Sequence, residues 1–216
     1  MTPILYSFRR CPYAMRARLG LASAGIEVEL REILLRDKAP EFLQTSPSGT
    51  VPCLEVHDQV IDESLDVMIW ALGQNDPECL LDMPDAGHDL IAATDGPFKT
   101  ALDRYKYHTR YENCDRDTER AKAVEHLDLL NRQLAHDAWL FGPDPKLADL
   151  AILPFVRQFA FTDKKWFDAQ DWPHLQRWLT FFITSDRFLS IMEKYPKWLS
   201  GDTVTTFPCR QGHDQH

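Results

Sequence analysis

A chain of 216 residues, 44% of them hydrophobic, carries enough apolar side chain to bury a core in one large or two small domains. Its formal net charge of -9 excludes the basic stripe that phosphate contacts along a nucleic acid require. The opening MTPILYSFRR has no signal-peptide pattern and no window approaches 18 consecutive apolar residues, so the expectation is a cytoplasmic globular protein with no membrane span.

In chain order, PILYSF (3–8) is apolar and aromatic enough for a buried strand. Pro12 stands at a first helical position, where its missing N–H costs no hydrogen bond, and opens a helix to Ala24 that Gly25 stops. IEVELREI alternates as a strand and completes a β-α-β unit with a parallel pair. A short helix follows near APEFLQ, and VPCLEV with QVID reads as a hairpin turned at His57-Asp58. ESLDVMIWALG closes the set as a helix, with Ser64 as N-cap, Leu65, Met68, Ile69 and Leu72 on one face, and Gly73 at its end.

QNDPECLLDMPDAG (74–87) breaks both periods and carries two prolines. It divides the chain into a first domain at 1–75, a linker at 76–87 and a second domain at 88–216. Beyond the linker every pattern is helical. HDLIAATDGPFKTALDRYKYHTRYEN is interrupted at Gly96-Pro97, and the next helix repeats Ala123, Leu127, Leu130 and Leu134. KLADLAILPFVRQFAF is apolar at Ala148, Ile152, Phe155 and Phe159 and nearly so elsewhere, as a helix buried on most sides would be. Two Trp-rich helices follow, and GDTVTTFPCRQGHDQH reads as an irregular tail. The fold class is an α/β domain of order βαβαββα followed by an all-α domain.

The charge is uneven. All 33 acidic residues lie at or after Glu27, whereas residues 1–26 carry Arg9, Arg10, Arg16 and Arg18 around Cys11. A thiol just before the first turn of a helix faces unpaired backbone N–H groups and the positive end of the helix dipole, both of which favour thiolate. Lowering a cysteine pKa from about 8.5 to about 6.5 raises the thiolate fraction at pH 7 from roughly 3% to roughly 75%. Position 14, where a dithiol oxidoreductase would carry its second cysteine, is Ala14, so an external thiol must resolve any disulfide formed on Cys11. Five cysteines without close pairs fit reduced thiols, and Cys53, within an apolar strand, reads as core. Arg18 falls in the middle of the apolar arc Ala14, Met15, Ala17, Leu19, Leu21 and Ala22. A guanidinium there needs a carboxylate or a route to water, so this helix is expected at the domain junction with Arg18 as a bridge. The eight histidines include no i, i+4 pair on a helix, and neither G-x-G-x-x-G nor a P-loop occurs, so no metal or phosphate-loop site is read.

YSFRRCPYAMRARLGLASAGI, SPSGTVPCLEV and DES before an apolar helix resemble the thioredoxin-like domain of the glutathione transferase family, and LADLAILPFVRQF resembles the buried helix of its all-helical domain. The Cys-Pro-aromatic-Ala form is most similar to the cysteine-type members, omega-like and bacterial, which are related to the two-domain glutaredoxins. The resemblance implies glutathione as co-substrate, a small electrophilic or disulfide second substrate, and a homodimer. Val51-Pro52 would be the cis-proline turn pairing with the cysteinyl backbone of glutathione. Glu63 and Ser64 would hold its γ-glutamyl end, Lys38 its glycyl carboxylate, and Tyr13 would sit beside the sulfur. Cys11 would be the catalytic thiol. Arg104, Tyr107, His108 and Tyr111, at helical spacing, would shape the second-substrate pocket. Asp149 resembles the family's buried helix-capping acid, with Lys146 where a Ser or Thr would return the bond.

The function implied is glutathione-dependent thiol transfer or reduction through a mixed disulfide on Cys11. Two alternatives stay open: conjugation of glutathione to electrophiles with Cys11 as bystander, for which Ser7 and Tyr6 are the nearest hydroxyls, and a non-catalytic binding or regulatory protein on the same fold.

Overall fold

The computed structural model describes residues 2–57 and 59–208. Asp58, and with it half of the expected hairpin turn, lies outside the described residues, as do Cys209, His213 and His216. The chain forms two compact units: one joins the segment up to Glu78 with the segment from Ser185 onward, and the other is Cys79–Thr184.

In the first unit, β1 (Ile4–Ser7) runs parallel to β2 (Val28–Glu32), with Leu5 opposite Leu30, and α1 (Pro12–Ala24) makes the crossover. After α2 (Pro40–Thr45), β3 (Cys53–Val56) returns antiparallel to β1, and β4 (Gln59–Ile61) pairs with β3 at the edge. The set closes with α3 (Ser64–Gln74), giving the expected order βαβαββα. Gly25 ends α1 in the left-handed region at φ 66, where its N–H reaches the carbonyls of Ala22 and Leu21. Gly20 lets α1 and α3 touch: a β-carbon there would lie 2.8 Å from the Met68 Cα.

The first residue of α3 differs by one from the sequence reading. Glu63, extended at φ -93, is the N-cap, and its carbonyl accepts the Val67 N–H at 3.0 Å. Ser64 is therefore the first helical residue, and the buried face is Ser64, Val67, Met68, Ala71 and Leu72, while Ile69 is exposed.

The C-terminal segment departs further. Helix α10 (Asp186–Ile191) lies against α1, and Thr206–Phe207 forms a strand, β5, antiparallel to β2 with Phe207 opposite Val28. The sheet order is β4-β3-β1-β2-β5, so the part of the expected irregular tail that is described completes the sheet. Arg18 is explained by the same return. Its Nε donates to the Ile191 carbonyl at 2.9 Å, its Nη2 to the Arg9 carbonyl at 2.6 Å and its Nη1 to the Ser7 hydroxyl. It ties α1 to β1 and α10 inside one unit, with main-chain carbonyls in place of the expected carboxylate.

The second unit is helical: α4 (Asp85–Ala93), α5 (Lys99–Lys106), α6 (Arg116–Gln133), α7 (Leu147–Ala160), α8 (Lys164–Asp168) and α9 (Pro173–Thr184). The interruption expected at Gly96-Pro97 is a π-helical turn, Thr94–Phe98, which absorbs the proline between α4 and α5. Ala123, Leu127, Leu130 and Leu134 are fully buried, and α7 is buried on nearly every side. Asp149 accepts from the Lys146 N–H at 2.9 Å, the Leu140 N–H at 3.0 Å and the Trp178 indole at 3.0 Å. Lysine has no acceptor to return the bond, and the Lys146 ammonium donates instead to the Cys79 carbonyl at 3.0 Å. Among the described residues no helix is long and apolar enough to cross a membrane.

Candidate functional site

Four segments of the first unit converge on a cleft of about 520 Å³. The start of α1 brings Cys11 and Tyr13, the loop after β2 brings Leu35 and Lys38, and the approach to β3 brings Thr50, Val51 and Pro52. The start of α3 adds Asp62, Glu63 and Ser64. All seven cleft residues expected from the sequence thus line one cavity. Leu35, Gly49, Thr50 and Asp62 line it too. Gly49 and Asp62 stood within the quoted SPSGTVPCLEV and beside Glu63, but nothing in their chemistry singled them out.

Cys11 is the N-cap of α1: its backbone is extended and its carbonyl accepts the Met15 N–H at 2.9 Å. The first turn carries no acidic residue, so nothing there opposes the dipole at the sulfur. The half-buried thiol points at the Val51 carbonyl, with Sγ to oxygen 3.7 Å, across a Val51-Pro52 bond that is cis. Arg18, in the basic island, interacts electrostatically with Cys11. Burial lowers the Arg18 pKa to about 10, and Glu32 and then Cys11 offset part of that fall, so the guanidinium stays charged. The side chain expected to serve a domain bridge therefore contributes to the field at the thiol. Arg16 is also buried, with its guanidinium 5.9 Å from the Tyr13 ring, and Arg10 lies 5.7 Å from the Phe8 ring.

Cys53 has the opposite environment. It is fully buried among Tyr6, Phe42 and Val51, and desolvation pushes its thiol up to about 11 against a hydrogen bond from Ser46. It is a core residue. The hydroxyls of Ser7 and Tyr6 are buried: the Ser7 oxygen accepts from Arg18, and the Tyr6 oxygen accepts from Arg31 Nη1 at 2.8 Å.

Arg104, Tyr107, His108 and Tyr111 lie in the second unit, and not on one helical face. Helix α5 ends at Lys106, Tyr107 leaves helical geometry at φ -115, and His108–Arg110 form a 3-10 turn. A run of Tyr, His and Thr is weakly helical, and here the two tyrosine rings take cations on their faces. Arg110 lies 4.4 Å and Lys106 5.2 Å from the Tyr107 ring, while Arg104 lies 5.2 Å from the Tyr111 ring. Arg104 is also salt-bridged to buried Glu119 at 2.9 Å. The His108 Nδ1 is buried without a hydrogen-bond partner. Among the described residues no group of three or more His, Cys, Asp or Glu is gathered as a metal site.

A mixed sheet of this order, with α1 crossing over and a cis X-Pro turn facing the helix start, defines a thioredoxin-like domain, here joined to a helical unit. The chain matches the family models for the glutathione S-transferase N-terminal domain over residues 5–78 and C-terminal domain over residues 99–181. The chain belongs to the glutathione transferase family. It is 27% identical over 162 residues to a probable glutathione S-transferase, parA, of Nicotiana tabacum, covering 72% of each chain. Over a stretch of 61 residues it is 44% identical to glutathione S-transferase omega-1 of Sus scrofa, covering 28% of this chain and 25% of that one. Among solved structures, a glutathione transferase family member from Pseudomonas fluorescens with two glutathione molecules bound superposes with a TM-score of 0.78 at 18% identity. That match covers 89% of this chain and 92% of the other.

Proposed function

We propose that this glutathione transferase works as a glutathione-dependent thiol transferase of the cysteine type, with Cys11 as its nucleophile. The observation that carries the reading is the placement of Cys11, as the N-cap of an acid-free helix start, in one cleft with Lys38, the Val51 backbone, Glu63 and Ser64. Glutathione is a peptide with two carboxylates and one ammonium. In this reading Lys38 pairs with its glycyl carboxylate, Val51 with its cysteinyl backbone, Glu63 with its ammonium, and Ser64 at the start of α3 with its α-carboxylate. Tyr13 lies beside the sulfur.

The Cys11 thiolate attacks the glutathionyl sulfur of a mixed disulfide. A Cys11–glutathione disulfide forms, and the substrate sulfur leaves with the electron pair and takes a proton from water. The thiolate of a second glutathione then attacks the glutathionyl sulfur on Cys11. Oxidised glutathione departs, and Cys11 recovers its electron pair as thiolate. Ala14 offers no internal thiol to interrupt this cycle. Conjugation with Cys11 as bystander needs a hydroxyl donor to the glutathione thiolate, and the burial of Ser7 and Tyr6, neither of which lines the cleft, speaks against it. Arg104, Tyr107, His108 and Tyr111 are proposed to select the second substrate, through the stacked cations rather than a helical face.

Intact-protein mass after exposure to oxidised glutathione tests the mechanism. The expected result is a single glutathione adduct, removed by reductant and missing in Cys11→Ala, together with loss of disulfide-exchange activity in that variant. Unchanged exchange activity in Cys11→Ala would sink the thiol mechanism.

A further inference from the structure

The turn that carries Lys38 is held from outside by the returning C-terminal segment. Residues 33–38 form a tight reversal after β2, in which the Asp37 N–H bonds the Leu34 carbonyl at 2.8 Å, and both Leu35 and Lys38 project to the cleft. Across β2 and this turn runs the stretch 193–205, which leads into β5. It is pinned at three places. The Trp198 N–H donates to the Glu32 carbonyl at 2.9 Å, the Leu30 N–H donates to the Thr205 carbonyl at 2.7 Å, and the Lys197 ammonium pairs with the Asp37 carboxylate. The Trp198 side chain is the anchor. Its ring lies 4.3 Å from the Arg31 guanidinium and meets the Tyr6 ring edge-on at 6.3 Å, within the cluster against which Cys11 also packs.

We propose that this strap is a positioning element for the glutathione site, with Trp198 and Lys197 fixing the turn that presents Lys38. The inference rests on the assignment of Lys38 to the glycyl carboxylate. Lys197–Asp37 is a solvent-exposed pair, and such pairs hold weakly on their own. Trp198 therefore anchors the strap, with the main-chain bond on its own N–H, and the ion pair sets where the turn stands relative to it. A loosened turn costs binding of the peptide's glycyl end and leaves the sulfur chemistry at Cys11 untouched, so the effect belongs in KM for glutathione and not in kcat.

The test compares two thiols, glutathione and γ-glutamylcysteine, which lacks the glycyl carboxylate. Trp198→Ala is expected to raise KM for glutathione about fivefold with kcat within about twofold, and to leave KM for γ-glutamylcysteine unchanged. In Lys38→Ala the strap variant should add no further rise. Lys197→Asp should raise KM for glutathione, and the swap Lys197→Asp with Asp37→Lys should restore it, which keeps the test open should Trp198→Ala fail to fold. An equal KM rise for both thiols, a multiplicative effect with Lys38→Ala, or an unmoved KM in Lys197→Asp overturns the proposal while the glutathione assignment stands. A wild-type protein with no saturable dependence on glutathione overturns both.

Discussion

Asp149 is the buried side chain with the clearest opposing forces. Burial pushes its carboxyl from the usual 3.8 up to about 6, while the N–H groups of Lys146 and Leu140 and the Trp178 indole pull it down by favouring the anion. With the folded pKa above the unfolded one, the folded state binds the proton more tightly. The resulting stabilisation is complete below about pH 3.8 and is lost as pH rises through about 6, up to about 3 kcal/mol. Asp149→Asn lacks this titration. It also sets an amide N–H against one of the three donors, at a cost of about 1–3 kcal/mol for the group left unsatisfied. The variant is therefore destabilised at all pH values, and its deficit relative to wild type should shrink between pH 4 and pH 7. Urea unfolding of both proteins across that range measures the difference. A deficit that stays flat or grows would mean that the three donors outweigh desolvation.

At the scale of elements, the contact of α1 with α3 depends on a missing side chain. A β-carbon on Gly20 would lie 2.8 Å from the Met68 backbone, whereas one on Gly73 would meet nothing within 4 Å. Alanine gains up to about 1 kcal/mol in helix propensity at either place, but at Gly20 overpacking costs about 1–3 kcal/mol. Gly20→Ala should lower the melting temperature and Gly73→Ala should hold or raise it, which thermal unfolding of the two variants will show. The βαβαββα order was legible because each element carries its own punctuation: Pro12 and Gly25 bound α1, and strand periods flank it. What was not legible lacked local signal. Two residues, Thr206 and Phe207, have no period of their own and become a strand only through pairing with Val28 and Glu29, far away in sequence. Tyr107, His108 and Tyr111 are spaced for a helix, and cation stacking on the rings overrides the spacing. In the cleft, local chemistry alone pointed to Cys11. Lys38, Glu63 and Ser64 are ordinary surface or helix-start residues until a fold brings them together, so a family resemblance was needed to name them.

At the scale of the whole molecule, the chain leaves the first unit at Glu78 and re-enters it at Ser185, and the two crossing points are clasped: Arg187 reaches both Glu78 oxygens and the Ser23 hydroxyl at 2.7 Å. The returning segment is thus a structural part of the first unit rather than an appendage. It supplies the Ile191 carbonyl to Arg18, the β5 partner of β2 and the Trp198 anchor. Breaking one side of a buried charged group's compensation costs about 3–5 kcal/mol, a large part of the roughly 5–15 kcal/mol that stabilises a typical domain. A chain ending at Thr184 should therefore lose protection of β1, β2 and α1 from hydrogen exchange. Exchange of the full-length and shortened proteins measured side by side decides this. Equal protection of α1 in the two would show that Arg18 finds other acceptors and that the return of the chain adds nothing to the stability of the sheet.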